Sequence, residues 1–117
     1  MESLVQKHYL AQDLIAEIKK GLSKSGKDIR EIQPKDLAPV DQLHTCGARA
    51  TAALLKKARI PEGSRVLDAG CGLGGSSRLM AHDFGCRVTG LDLSPSFIMV
   101  ARTLTRYTGL EDLALFH

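Results

Sequence analysis

The sequence has few of the residues that mark metal sites and disulfide frameworks. Its 117 residues include no tryptophan, and only 4% are aromatic. The three cysteines, Cys46, Cys71 and Cys86, are odd in number and lack CxxC spacing, so we expect neither a disulfide framework nor a zinc site. His82 and Cys86 lie four residues apart, but two candidate ligands are too few to indicate a metal. We therefore expect no metal.

Long apolar runs and an excess of one charge are also missing. No run approaches the ~20 apolar residues that cross a bilayer, and the first ten residues lack a signal-peptide core. Lys and Arg number 16 against 13 Asp and Glu, with a net charge of +3 and no block of like charges. The sequence therefore predicts a single cytoplasmic, globular domain without nucleic-acid or membrane partners.

The first 60 residues show helical patterns. Apolar residues at helical spacing predict an amphipathic helix over 3–22, which would pack on its own domain, on a second copy or over a ligand cleft. Residues 23–28 predict a turn, and Pro34 and Pro39 are expected to break any longer helix. An alanine-rich segment predicts a second helix over 45–58. With such a surface helix, one alternative is a non-catalytic interaction module that binds a partner through residues 3–22.

The remainder of the chain alternates between short β-type runs and helical segments. We expect strands over 65–69, 87–91 and 113–116, with helices over 76–84 and 97–107 between them. This βαβαβ order is typical of a parallel sheet with right-handed crossovers. The sequence therefore predicts an α/β fold preceded by helices.

A glycine-rich segment, DAGCGLGG at residues 68–75, lies directly after the first strand and before the next helix. Glycines let the backbone approach a ligand closely, and the helix N-terminus offers N–H groups to an anionic group. Asp92 ends the second strand, 24 residues after Asp68, where a carboxylate can accept both hydroxyls of a ribose. Together these features predict a cofactor with a nucleoside, bound across the carboxyl ends of two neighbouring strands.

Spacing alone leaves the cofactor open. Gly70, Gly72 and Gly75 also fit the dinucleotide fingerprint, with Asp92 falling 20 residues after Gly72. An NAD-dependent oxidoreductase is therefore an alternative. Asp68 argues against it, because its carboxylate would lie near the pyrophosphate and repel it. A ligand with a cationic amine would be attracted there instead.

The segments VLDAGCGLGGSSRLMA and VTGLDLSPSFIMVAR resemble the first two motifs of class I S-adenosylmethionine-dependent methyltransferases. The resemblance implies S-adenosylmethionine as the cofactor. It assigns the methionine moiety to Asp68, Gly70 and Gly72, with backbone of Cys71 beside it. It further implies that Asp92 holds the ribose hydroxyls and that Leu93 lies against the adenine. The ammonium group of the methionine moiety suits the carboxylate of Asp68.

Residues 36–51, DLAPVDQLHTCGARAT, resemble the N-terminal cover of small-molecule methyltransferases that act on quinone precursors, sarcosine or dimethylglycine. This resemblance implies that Gln42 and His44 approach the cofactor from above, although a lone histidine is more often a surface or packing residue. We therefore expect residues 1–60 to form a helical cover, and residues 61–117 to form the first half of the cofactor-binding domain.

The family pattern implies a Rossmann-like, doubly wound sheet of seven strands in which the first strand is central. This sequence supplies three of those strands, so we expect an incomplete sheet, in the N-terminal portion of an enzyme that methylates N, O or C atoms of small molecules. No catalytic residue is identified, and we expect this chain to be inactive alone. Self-association through the exposed sheet edge or through helix 3–22 would protect unpaired backbone groups.

Overall fold

The computed structural model describes residues 3–41 and 47–117, without the side chains of residues 38, 40, 41, 47 and 48. A short 3₁₀ helix spans Ile29–Glu31. The other elements, in chain order, are α1 (Leu4–Lys24), α2 (Pro34–Asp41), α3 (Gly47–Ala58), β1 (Arg65–Ala69), α4 (Gly75–Phe84), β2 (Arg87–Leu91), α5 (Pro95–Tyr107) and β3 (Ala114–Phe116).

The three strands form a parallel sheet in the order β1-β2-β3. Leu67 of β1 is in register with Thr89 of β2, which is in register with Leu115 of β3. The order places β1 at one edge of the sheet in the described part of the chain. The predicted α/β fold, a βαβαβ unit preceded by helices, is confirmed. So is the partial sheet of a Rossmann-like fold.

One face of the sheet carries the main core. Val88, Ala114 and Phe116 point into it and pack against buried residues of α3, α4 and α5, among them Leu55, Leu79, Met80, Ile98 and Ala101. The opposite face is largely bare in the described residues, since Leu67 is 65% exposed and Leu115 is 54% exposed. The helices therefore cover a single face of this sheet.

Helix α1 packs along α5, and the two helices run in the same direction. The hydroxyl of Ser96 donates to the carbonyl of Lys7 at 3.2 Å, and the ammonium of Lys19 lies 5.6 Å from the ring centre of Tyr107. Buried side chains between them form a second core with residues of α2 and the glycine-rich loop: Ala11, Ile18, Leu22, Leu37, Leu73, Val100 and Leu104. The predicted helix over 3–22 therefore packs on its own domain.

The helices begin and end at capping residues that can be recognised in the sequence. Ser3 caps α1 reciprocally with Gln6. Ser94 caps α5 by accepting from the amide of Phe97 at 3.3 Å, and Pro95 is the first residue of that helix, as the Ser-Pro pair predicts. Gly85 ends α4 in a left-handed conformation, as expected.

Of the two prolines expected to break any longer helix, Pro34 does stand at a helix boundary, but the expectation is wrong for Pro39. Pro34 is the first residue of α2, where its missing N–H removes no helical hydrogen bond, and Pro39 lies inside the helix. Asp36 accepts from the amide of Gln33 at 2.9 Å and so satisfies a donor at the start of α2. Leu37 is fully buried. Its packing offsets the hydrogen bond that Pro39 cannot donate.

Candidate functional site

The turn from β1 into α4 is held against the end of β2 by its own backbone. The amides of Gly70 and Cys71 both donate to the carbonyl of Leu91, each at 2.8 Å. Gly70 and Gly72 have φ angles of +73° and +56°, and a Cβ at either position would meet nothing within 4 Å. These glycines are therefore required by backbone conformation, and the space beside them is open to a ligand.

Both carboxylate oxygens of Asp92 accept hydrogen bonds from backbone amides. The amide of Gly72 donates to its Oδ2 at 2.9 Å, and the amide of Ser94 donates to its Oδ1 at 2.8 Å. The glycine-rich loop and the second strand end, which the sequence predicted to lie together, are thus in direct contact. A carboxylate has about four lone-pair sites, so Asp92 keeps capacity to accept from two further hydroxyls.

Asp68 is the fourth residue of β1 and is half-buried. The hydroxyl of Ser77, which is fully buried in the first turn of α4, donates to its Oδ2 at 2.7 Å. No described residue forms a hydrogen bond to Oδ1. Sequence reasoning missed Ser77. The signal was available, because the first turn of a helix that follows a strand directly faces the end of that strand.

Cys71 lies between the two carboxylates and is buried. Burial, together with the smaller effect of the negative charges of Asp68 and Asp92, raises the pKa of its thiol to about 11. The sulfur is therefore a neutral thiol at physiological pH and is a poor nucleophile. A Cβ added at Gly90 would lie 3.0 Å from the Cβ of Cys71, so the loop packs tightly on β2.

Of the three remaining predicted site residues, the structure describes one. Leu93 is fully exposed, directly after Asp92 at the carboxyl edge of the sheet. Gln42 and His44 lie outside the described residues. Across the described ranges, no group of three or more His, Cys, Asp or Glu side chains is arranged to hold a metal ion. The structure thus brings together Asp68, Gly70, Cys71, Gly72 and Asp92.

The comparison with protein families agrees with this geometry. Residues 66–117, which include β1, the glycine-rich loop and Asp92, match the family described as "Methyltransferase domain". This segment is therefore similar to part of a methyltransferase domain, as the sequence predicted. The predicted family is confirmed. The match begins one residue into β1, so the N-terminal helices lie outside the matched segment.

Individual relatives are also methyltransferases. A 2-methyl-6-phytyl-1,4-hydroquinone methyltransferase of Synechocystis is 52% identical over 46 residues, which are 39% of this chain and 14% of the relative. A crystal structure of a methyltransferase from Thiobacillus denitrificans, in complex with S-adenosyl-L-homocysteine, has 30% identity and a TM-score of 0.60. The alignment covers 68% of this chain and 32% of that one.

A third match is the structure of phosphoethanolamine N-methyltransferase 2 from Haemonchus contortus in complex with S-adenosyl-L-methionine. Its identity is 32% and its TM-score is 0.58, with coverage of 66% of this chain and 18% of that one. The chain thus spans between 14% and 32% of the length of these three relatives.

Proposed function

We propose that this chain binds S-adenosylmethionine across the carboxyl ends of β1 and β2. The observation that carries the proposal is the 2.9 Å contact between the amide of Gly72 and Oδ2 of Asp92, which joins two motifs 20 residues apart into one site. The two solved structures named above contain S-adenosylmethionine or its demethylated product. The relatives give no support to the dinucleotide alternative or to a non-catalytic module.

Each predicted residue has a role that its chemistry supports. Asp92 accepts from the ribose hydroxyls, and Oδ1 of Asp68 accepts from the ammonium of the methionine moiety. The open side of the loop at Gly70 and Gly72 leaves room for the ligand, and exposed Leu93 is available to the adenine ring. We place Gln42 and His44 above the cofactor, within a cover formed by residues 1–60.

The proposed reaction is methyl transfer to an N, O or C atom of a small molecule. When bound, S-adenosylmethionine supplies an electrophilic methyl group on a sulfonium. The residues of this chain bind and orient the cofactor, and positioning of two reactants is worth roughly 7–11 kcal/mol.

A small-molecule acceptor is supported by the relatives, whose names specify a hydroquinone and phosphoethanolamine. We propose that residues 61–117 are the first part of the cofactor-binding domain, and we expect the purified chain alone to show little turnover. No helix in the described ranges has the length and apolar character needed to span a bilayer. The cytoplasmic location stays a prediction.

Isothermal titration with S-adenosylhomocysteine tests the cofactor proposal, with NADH as the comparison ligand. Asp92→Ala removes the acceptor of two backbone amides and the proposed ribose ligand, so we expect affinity to fall by about tenfold or more. Asp112→Ala is the matched control, because Asp112 is an exposed carboxylate in the turn before β3. Binding of NADH without binding of S-adenosylhomocysteine would contradict the proposal. Absence of binding of both ligands would also contradict it.

We also propose that the chain self-associates through the β1 edge and the bare sheet face. Strand β1 has its neighbour β2 on one side, and exposed Leu67 and Leu115 lie on the uncovered face. Helix α1 is occupied by α5, which favours the sheet over helix exchange as the contact. Light scattering coupled to size exclusion is the test, and a clean monomer at high micromolar concentration would contradict self-association.

A further inference from the structure

Arg78, in the first half of α4, is fully buried and is the largest side chain buried to that degree in the described part of the chain. A guanidinium is strongly hydrated in the unfolded chain, so its burial is unfavourable unless hydrogen bonds replace the lost water. An apolar side chain of similar size would fill the same volume without that cost. The surroundings of Arg78 therefore point to a role beyond packing.

The guanidinium joins the glycine-rich loop to α5. Its Nη2 donates to the carbonyl of Leu73 at 2.7 Å. Its Nη1 donates to the hydroxyl of Thr105 at 3.1 Å and to the carbonyl of Ala101 at 3.3 Å. Leu73 belongs to the loop, whereas Thr105 and Ala101 belong to α5. One rigid, planar group thus sets the distance between the loop and a helix of the core.

The loop is also shaped around this side chain. Gly74 has a φ angle of +82°, and a Cβ there would lie 2.9 Å from Nη1 of Arg78 and 2.8 Å from Cζ of Phe116. The backbone therefore approaches the guanidinium so closely that only glycine fits. This close approach is independent of the hydrogen bond to Leu73.

The contact with Leu73 is connected to the candidate site through the backbone of the loop. The Leu73 carbonyl lies two peptide units after the Gly72 amide that donates to Asp92, so fixing this carbonyl limits the conformations of the short loop that carries that amide. Ser77, the residue before Arg78, orients Asp68. Two consecutive side chains of α4 thus hold two different parts of the site.

We propose that Arg78 is a positioning residue for the cofactor. By holding the Leu73 carbonyl against α5, it fixes the Gly72 amide on Asp92 and thereby sets the affinity for S-adenosylmethionine. This inference rests on the cofactor proposal above. It differs from a packing role, because a packing role predicts that stability alone changes when the guanidinium is removed.

The test compares Arg78→Met with Thr105→Val in the full chain. Arg78→Met keeps a long apolar stem and removes every hydrogen bond of the guanidinium. Thr105→Val removes the hydroxyl on the α5 side and leaves the Leu73 contact in place, so it disturbs the same buried cluster without freeing the loop. The readouts are S-adenosylhomocysteine affinity by calorimetry, hydrogen exchange at the Gly72 amide, and melting temperature.

We expect Arg78→Met to weaken S-adenosylhomocysteine binding by about tenfold or more, which corresponds to losing the charge-assisted hydrogen bond to Leu73. The same variant should accelerate hydrogen exchange at the Gly72 amide. Thr105→Val should lower the melting temperature while affinity stays within about threefold, a difference under 1 kcal/mol. Arg78→Lys keeps one donor towards Leu73, so its affinity should lie between those of wild type and Arg78→Met. It also serves as the folded variant if Arg78→Met does not fold.

The positioning role is overturned if neither Arg78 variant weakens binding more than Thr105→Val does. Failure of the cofactor proposal has a different signature, which is absence of binding by the wild-type chain. In that case hydrogen exchange at the Gly72 amide still tests whether Arg78 controls the loop. Faster exchange in an Arg78 variant than in Thr105→Val supports control of the loop, and equal exchange overturns it.

Discussion

The hydroxyl of Ser77 donates to Oδ2 of Asp68 at 2.7 Å. The carboxylate near the end of β1 is therefore oriented by the helix that follows it, and the loop between them carries the glycines of the candidate site. Because Ser77 is fully buried, water does not compete for this hydrogen bond.

Replacing Ser77 tests how much this contact contributes. Ser77→Ala removes a hydrogen bond to a charged group, so the free energy of unfolding should fall by about 1–3 kcal/mol in a urea titration. Ser23→Ala is the control, because Ser23 is exposed on α1 and its replacement should change stability by less than about 0.5 kcal/mol. Equal stabilities of the two variants would show that the Ser77 contact contributes nothing measurable.

Two glycines should respond in opposite directions to alanine. At Gly90, a Cβ would lie 2.6 Å from Cδ1 of Phe116, so Gly90→Ala should destabilise the fold by about 1–3 kcal/mol through overpacking. At Gly21, inside α1, a Cβ would meet nothing within 4 Å. Gly21→Ala should therefore stabilise the chain by about 0.5–1 kcal/mol. Thermal melts of both variants give the signs, and a stabilised Gly90→Ala would refute the close packing of β2 on β3.

The packing of α1 on α5 can be measured with two residues that lie on the same side of α1. Ile18 is 6% exposed and Leu4 is 84% exposed. Ile18→Ala should cost about 2–5 kcal/mol of unfolding free energy, because it leaves a cavity. Leu4→Ala should cost less than about 0.5 kcal/mol. If denaturant unfolding gave both variants the same stability, α1 would not be docked on α5 in solution.

The thiol of Cys71 gives a prediction for pH. Its pKa is about 11 in the folded chain, against a reference value of 9.0. Since the folded pKa is the higher one, this group's contribution to stability is complete below pH 9 and is lost as the pH rises towards 11. Peptide mapping after brief alkylation should find Cys71 unmodified at pH 9 in the folded chain and modified in urea. Similar modification rates in both states would contradict the raised pKa.

The strands and the glycine-rich turn were predictable because their signals are local. The predicted bounds of β1 and β2 agree with the structure, since both strands are flanked by turn residues. Helix α2 was not predictable, because the burial of Leu37 that compensates for Pro39 is a tertiary effect. Which face of the sheet is covered also depends on where the helices pack. The alternation of apolar and polar residues along a strand does not specify that.

The candidate site was predictable only in part. Gly72 and Asp92 were expected to lie together because both follow neighbouring strands, and they are in contact. Ser77 and Arg78 were missed because polar residues at the start of a helix are usually solvated. For Ser77 its place in the first turn after β1 was a usable signal, whereas Arg78 shows no local sign of burial. Their partners, Asp68, Leu73 and α5, are defined only by the folded arrangement.

The contact between Lys7 and Ser96 joins positions 89 residues apart. During synthesis at about 5–20 residues per second, α1 leaves the ribosome on the order of 5–20 s before the helix that covers its apolar side. Throughout that interval Ile18 and Leu22 have no partner from α5. The nascent chain therefore presents an amphipathic helix to the cell before its docking surface exists, and completion of α5 is the event that ends this exposure.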